Sequence, residues 1–580
     1  MKKKLIYLAS GLLMIMSCSD DFSTDKNVGV LSPEQLANQN GVDLLLTGAY
    51  SVLDGIRNNI GASDWTATGD NWWLDVISDD AHKGSTDGDQ ADLFAIETYN
   101  WQTGNSYFNG YWRADFAGVN RANAVLSQIA QIEGDFIQQA AEARFLRAHF
   151  NFELQKAYGN VPFISLENFD NQEFNQPNIG PIWEQIEADF EAAIAVLPET
   201  QSEAGRPTSW TAKAYLGKVQ VFQGNYAEAL VTLNDVINNG PYALNTEYID
   251  NFNAAGENGP ESVFAIQFAA DSGQSLNGNR AGTLAFPGGG PFNSCCGFYQ
   301  PTQDLVNAYQ TDASGLPLLD TFNDVDVTND AGLNSFETDA EGNNIEDADG
   351  NPIPTPFTPH AGNLDPRLDY TVGRRDIDFN GFGRNVGKDW IRASFQDISG
   401  PYLSKKNVYQ SDELSTNQGT GAWGQQHSGI NYNVIRFADV LLLAAEAAAE
   451  ENNLALALDY TNRVRNRAAT MTPVQALDGS GPAANYNIAP YASFPDQAFA
   501  IQAVRFERRL ELAMEGHRIF DLRRWGNAAQ VINEYIANES RTIPNFGTKA
   551  GTYTSNMDLL PIPIDAIDLS QGILDQNPGF

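Results

Sequence analysis

Three cysteines, five histidines and ten tryptophans are the scarce side chains of this 580-residue sequence, and their positions bound its chemistry. Cys18 follows a basic start (Lys2, Lys3, Lys4) and an apolar run from Leu5 to Met16. A charged n-region, a short apolar h-region and a small residue at the cleavage point make a secretory signal. The run, about 12 residues, is too short for a bilayer, which needs about 20. A cysteine freed at the new N-terminus accepts a diacylglycerol on its thiol and an acyl chain on its amine. Several chains hold far better than one, since each buried CH2 adds about 0.8 kcal/mol. We therefore expect residues 1–17 to be removed and Cys18 to carry the lipid; a plain secreted protein with an incidental Cys18 is the other reading. Cys295 and Cys296 are adjacent, so in an oxidising compartment they close a vicinal disulfide or stay as two buried thiols. His82, His149, His360, His427 and His517 are far apart in sequence, and no HExxH-type spacing exists, so neither a metal nor a cofactor is expected. Acids number 73, so a carboxylate pair can be imagined anywhere and discriminates nothing. Trp112, Trp183, Trp210 and Trp525 fall in helical stretches and read as core. Trp65, Trp72, Trp73, Trp101, Trp390 and Trp423 stand among Gly, Asn and Asp, where an indole either stacks on a ligand or lies buried under a loop.

The chain has 35 basic residues and a net charge of −38; without residues 1–17 it has 32 basic and 73 acidic residues, net −41. That sign excludes a nucleic-acid footprint and disfavours anionic lipid surfaces. Hydrophobic residues at 42% and aromatics at 11% suffice for a large core, so the chain is globular and not a disordered acidic polymer. After the signal no apolar run reaches membrane length; Val440 to Ala449 comes nearest but contains Glu446 and is flanked by Arg436 and Asp439.

The elements that must position these residues are mostly helical. Helical patterning fills about 42–239 and 432–538. Gly217 and Ala229 stand twelve apart, with Leu216, Leu233 and Pro241 where a tetratricopeptide repeat puts its leucine, its large apolar residue and its closing proline. Gly224-Asn225 supplies the turn; Ala445 and Ala457 repeat the spacing around Asn452-Asn453. A helix pair cannot bury its stripe alone, so three or four pairs must stack. Between them, about 246–430 is rich in Gly, Asn, Asp and Pro with short strand-like runs such as 262–266. From Asp320 to Gly350 there are ten acids and no base, and 339–342 and 347–350 read as solvated hairpin tips, not as calcium loops.

Blocks distributed through the chain resemble a known family. They are Arg144-Phe145-Leu146-Arg147-Ala148, Tyr158-Gly159-Asn160-Val161-Pro162, Pro301-Thr302-Gln303-Asp304-Leu305-Val306 and Asp365-Pro366-Arg367-Leu368. Arg436 to Leu443, Glu507 to Arg518, Asp521 to Trp525, Leu560-Pro561-Ile562-Pro563 and Gln576 to Phe580 complete the set. In this order they resemble the SusD/RagB family of Bacteroidota outer-membrane lipoproteins, and Ser19-Asp20-Asp21 resembles the export signal that follows the lipid cysteine there. The resemblance implies a mainly α fold, with a tetratricopeptide-like scaffold at about 41–245 and 431–540, an irregular ligand-binding insertion at 246–430 and a tail at 541–580. Residues 18–40 would be the lipidated tether. It further implies a cell-surface, lipid-anchored protein of the outer membrane that captures glycan for a SusC-like TonB-dependent transporter. Glu507, Arg508, Arg509, Glu511, Glu515 and Arg518 recur at three- and four-residue spacings and read as ion pairs along and between helices.

A pyranose offers apolar C–H faces and a hydroxyl rim, which aromatic faces and planar amide, carboxylate or guanidinium groups recognise. In the family the segment before the Pro-Thr block supplies a platform aromatic, which places Phe298 and Tyr299 there with Cys295 and Cys296 just upstream. A second stretch mixes Trp65, Asn71, Trp72, Asp80 and Lys83. The family's other usual aromatic after Ser78-Asp79-Asp80 is missing from 84–92, and Trp390 or Trp423 would compensate. A neutral glucan such as laminarin suits the acidic surface; an anionic glycan would need Arg374-Arg375 and Lys405-Lys406 in the groove. A RagB-like peptide-uptake protein and a surface glycoside hydrolase are the competing functions.

Overall fold

A computed structural model describes residues 36–55, 72–271, 274–279, 281–292, 297–392, 399–406, 408–421 and 426–580. Cys18, Trp65, Asn71, Cys295, Cys296 and Trp423 lie outside the described residues. Helices dominate: α1 (Gln39–Tyr50), α2 (Ser106–Ala130), α3 (Ile137–Tyr158), α4 (Trp183–Ile194), α5 (Ser209–Phe222), α6 (Tyr226–Asn239), α7 (Phe437–Glu450), α8 (Leu454–Thr470), α9 (Gln497–Leu512), α10 (Arg518–Arg524) and α11 (Ala528–Glu539). They stack in order, α2 on α3, α3 on α4 and so on to α6, then α6 on α7 and α7 on both α8 and α9. This is the mainly α helix-pair scaffold that the spacing predicts.

The local reasons are visible. Thr208 opens α5 with a capping box to Thr211. Gly224 (φ 77°) and Asn452 (φ 56°) take the left-handed turns that end one helix and admit the next. Gly217 allows α5 to lie close against α6, because a Cβ there would meet Leu233 Cδ2 at 2.5 Å. α7, whose apolar run was the nearest to membrane length, is buried from Phe437 to Ala449 and is the central helix of the stack. Among the described residues no helix is long and apolar enough to cross a membrane.

Of the ten short strands among the described residues, four bear on the frame: β1 (Ala81–Gly84), β2 (Ser262–Ile266), β3 (Phe298–Pro301) and β4 (Tyr432–Arg436). β2 and β4 pair antiparallel, and Phe437 N donates to Glu261 O, so the ribbon ties the start of the insertion to the start of α7. β1 and β3 pair antiparallel with Ala81 opposite Pro301, His82 opposite Gln300 and Gly84 opposite Phe298. The acidic turns form as hairpin tips: Gly342 N donates to Asp339 O and Gly350 N to Asp347 O, both at 3.1 Å. Their carboxylates accept from their own loops, Asp339 from Asn343 N and Asp347 from Asn351 N.

The ion pairs of α9 reach across the fold and not along the helix. Glu507 binds Arg367 and Arg465, each at 2.7 Å; Arg508 binds Asp439 and Asp521; Arg509 binds Asp80 at 2.9 Å and Asp304 at 2.8 Å. Glu511 holds Arg367, Arg436 and Arg467, while Glu515 holds Arg436 and Lys406. The three- and four-residue periodicity therefore fixes which face of α9 is charged, and the partners arrive from other segments.

Candidate functional site

The β1–β3 ladder gathers the residues singled out on both sides of the chain. A 3-10 turn, Trp72–Ile77, leads through Asp79 and Asp80 into β1, which ends at Lys83 and Gly84. Gly84 has φ 74°, and a Cβ on it would meet Gly297 O at 2.1 Å, so only glycine lets the two strands approach there. β3 follows the 286–292 turn, and Gly297 N donates to Phe286 O at 2.8 Å. Thr302, next in sequence, caps the helix Gln303–Ala308 through Leu305 N and donates its hydroxyl to Asp79 O.

Within this frame the predicted side chains are brought together but turned inward, which corrects the expectation of an exposed platform. Phe298 and Tyr299 are each 1% exposed. The Lys83 ammonium lies 5.1 Å from the centre of the Phe298 ring and donates to the carbonyls of Gly84 and Thr86. Burial pulls that ammonium down to about 8, against the opposing pull of Glu97, Asp89 and Asp87. Asp80 accepts from Arg509 Nε and is wholly buried. Trp72 stands edge-on to Tyr432 at 5.7 Å, and Trp390 edge-on to Phe379 at 5.7 Å in a separate small core with Phe286, Phe292 and Tyr409. Trp73 and Trp101 are buried too. The physical reason is layering. Gly, Asn and Asp determine how the backbone turns, whereas burial depends on which distant segment lies on top, here β4 over Trp72 and the 286–292 turn over Trp390.

The basic pairs are also internal. Arg374 forks onto Asp369 at 2.7 and 2.8 Å. Arg375 donates to the carbonyls of Ser335, Thr355 and Val386. Lys405 donates to the Asp369 and Asp378 carbonyls and Lys406 to Ala513 O and Glu515, and burial draws both ammoniums down to about 8. None of the four is presented to an anionic ligand.

Two features escaped sequence reasoning. Tyr299 has φ 52°, a conformation that a bulky side chain adopts only when its surroundings impose it. Gln300, between Tyr299 and Pro301, is 1% exposed, and neither its amide nitrogen nor its amide oxygen has a hydrogen-bond partner. No signal in one sequence marks an orphaned amide. An unpaired buried polar group costs about 1–3 kcal/mol, so Gln300→Leu is expected to raise stability by about that amount. Guanidinium denaturation of both proteins checks it, and a loss of stability would mean that the amide has partners.

A sequence model of the SusD family matches residues 260–580, and a second, described as starch-binding associating with outer membrane, matches residues 21–221. SusD-like protein P2 of Formosa agariphila is 25% identical over the full length of both chains. SusD-like protein P25 of the same organism is 25% identical over 80% of this chain and 78% of its own. Among solved structures, a laminarin binding SusD-like protein aligns with TM-score 0.63 at 22% identity, covering 94% of this chain and 100% of that one. Surface glycan-binding protein A from Bacteroides thetaiotaomicron in complex with laminarihexaose aligns with TM-score 0.63 at 20% identity, covering 93% and 99%. At those identities the structural likeness concerns the fold alone.

Proposed function

The chain belongs to the SusD family, and from that premise we propose that it is a surface lipoprotein that captures neutral oligo- or polysaccharide and delivers it to a SusC-like TonB-dependent transporter without cleaving it. The observation that carries this reading is the family match over 260–580, joined to a second match over 21–221 whose description names starch binding and the outer membrane. The solved relatives that carry laminarin or laminarihexaose in their titles share its fold, which makes a β-glucan the first ligand to try. Lipidation at Cys18 would hold the chain on the outer membrane and leave the folded part free outside.

In this reading the stacking and hydrogen-bonding surface belongs to Trp65, Asn71, Trp423 and the Cys295–Cys296 segment, since Trp72, Asp80, Lys83, Phe298, Tyr299 and Trp390 face inward. The burial of Arg374, Arg375, Lys405 and Lys406 supports a neutral glycan over an anionic one. Affinity gels containing β-glucan, α-glucan or mannan, followed by calorimetry with laminarihexaose, test the reading. Retarded migration in one neutral polysaccharide is expected, with binding weakened at least tenfold in Trp65→Ala or Trp423→Ala and no new reducing ends on incubation. Binding of peptides only, or release of reducing ends, overturns it.

A further inference from the structure

A cleft of about 830 Å3 opens between α9, α11 and the 319–326 loop, with Asp79, Asp304 and Arg509 in its lining. Its volume is in the range of small-molecule sites, about 300–1,000 Å3. It is built and not incidental. The loop is tied down by Asn323 Nδ2 donating to Asp304 at 2.6 Å and by the Gln310 amide donating to the carbonyls of Phe322 and Val325, each at 2.8 Å. Phe322 packs edge-on against Phe506 at 5.5 Å, and Arg541 clasps Asn323 O and Asp326, each at 3.0 Å.

The guanidinium groups lining the cleft are already matched. Arg509 is held by Asp79, Asp80 and Asp304, Arg518 forks onto Asp79 at 2.8 Å twice, and Arg505 binds Glu450 at 2.9 Å. No guanidinium is therefore left for an anion, and among the described residues no cluster of carboxylates could hold a metal ion. Gln502 and Gln530 donate to the lining carboxylates of Asp320 and Glu534, which leaves the Asn527 and Asn538 amides beside the Phe322 and Phe506 rings. The Asn527 amide oxygen is buried without a hydrogen-bond partner. Planar amides and carboxylates around ring edges, with no unpaired guanidinium among them, fit the hydroxyls of a neutral polyhydroxylated chain.

We propose that this cleft is a second saccharide subsite, separate from the β1–β3 face and joined to it through the Asp79–Asp80–Arg509 cluster. The assignment rests on the glycan-binding reading given above. Two grips on one polymer raise its retention without any new contact, provided one chain can reach both.

Ala498 and Ala537 are exposed at the cleft, so tryptophan at either position plugs it without touching the core. The test is equilibrium dialysis of the full chain against laminarihexaose and a panel of neutral α-glucan and mannan oligosaccharides, with thermal melts as the control on folding. Two ligands per wild-type chain, falling to one in Ala498→Trp and Ala537→Trp with Tm unchanged, is the expected result. One ligand per wild-type chain, with affinity unaltered by either plug, overturns the subsite and leaves the glycan-binding reading intact. No uptake of any saccharide by the wild type overturns both, and a cleft that takes up peptides instead, blocked by the plugs, overturns the saccharide assignment.

Discussion

Arg436→Met is expected to destabilise the fold by about 3–5 kcal/mol, because removing one member of a buried ion cluster leaves its partners charged and unmatched. Arg436 is 1% exposed; its Nε and Nη2 donate to Glu515 at 2.8 and 2.9 Å, and its Nη1 reaches Glu261 at 2.8 Å. It also binds Glu511 and the Glu511 carbonyl, and it lies over the rings of Tyr248 and Phe252. Burial alone would raise the Glu511 carboxyl, but Arg467, Arg436 and Arg367 together hold it well below the usual carboxylate range. Methionine keeps the length and the ring contacts and removes the charge, so the change isolates the electrostatic part. The loss falls on β4 and on the end of α9, which the guanidinium cross-links beside the single bond from the Tyr432 hydroxyl to Glu515 O. Urea denaturation of the variant checks it; a change below about 1 kcal/mol, the range of exposed pairs, would mean that solvent reaches the cluster.

The scaffold was legible because its information is local. Glycine and alanine at twelve-residue spacing, a turn dipeptide between them and an apolar stripe at helical period act over two adjacent helices, and Gly217 against Leu233 is that signal made into a contact. The charged run of α9 was legible in the same way, since the spacing of Glu507, Arg508 and Glu511 is a helical property, whereas Glu515 lies in the turn beyond Leu512. Their partners were not. Arg367, Arg436 and Arg465 stand 140, 75 and 42 residues from the acids that they bind, and nothing in a single sequence selects one arginine from another at that distance.

The site was less legible for a related reason. Sequence singled out Lys83 in one stretch and Phe298 and Tyr299 in another, and the β1–β3 pairing brings the two together. It did not reveal which way they face. In a four-residue strand, alternation is too short to mark an inner and an outer side, and in β3 all four residues are buried. The same limit applies to the indoles: Trp72 and Trp390 sit in Gly- and Asp-rich stretches, yet each is closed over by a segment remote in sequence, Tyr432 for one and the turn at Gly290 for the other. The orphaned Gln300 amide emerges only when its surroundings are counted.

His82 gives the second large effect, one that depends on pH. It is completely buried, with Nδ1 at 2.7 Å from Glu97 and Nε2 at 2.9 Å from Glu539, under the rings of Tyr535 and Phe546. Glu539 also accepts from the N–H groups of Gln303 and Asp304, so one imidazole ties β1, the helix after β3 and the end of α11. Only the imidazolium can donate from both nitrogens. Burial opposes that charge, but the bonds to Glu539 and Glu97 outweigh it and push the ring up to about 9. A histidine raised from about 6.5 binds more protons folded than unfolded between those two values, so its contribution is complete below the lower one and is lost as pH rises through about 9. Between pH 6 and 8 the wild type should therefore lose about 2 kcal/mol relative to His82→Gln, at 1.36 kcal/mol for each unit of displacement. Lys83, Lys405 and Lys406, held near 8 by burial, act with the opposite sign and only above that pH. Comparing the two proteins by chemical denaturation at pH 6, 7 and 8 separates the histidine from the lysines. Parallel curves across that window would mean that the ring is neutral and that one of the two carboxylates carries the proton.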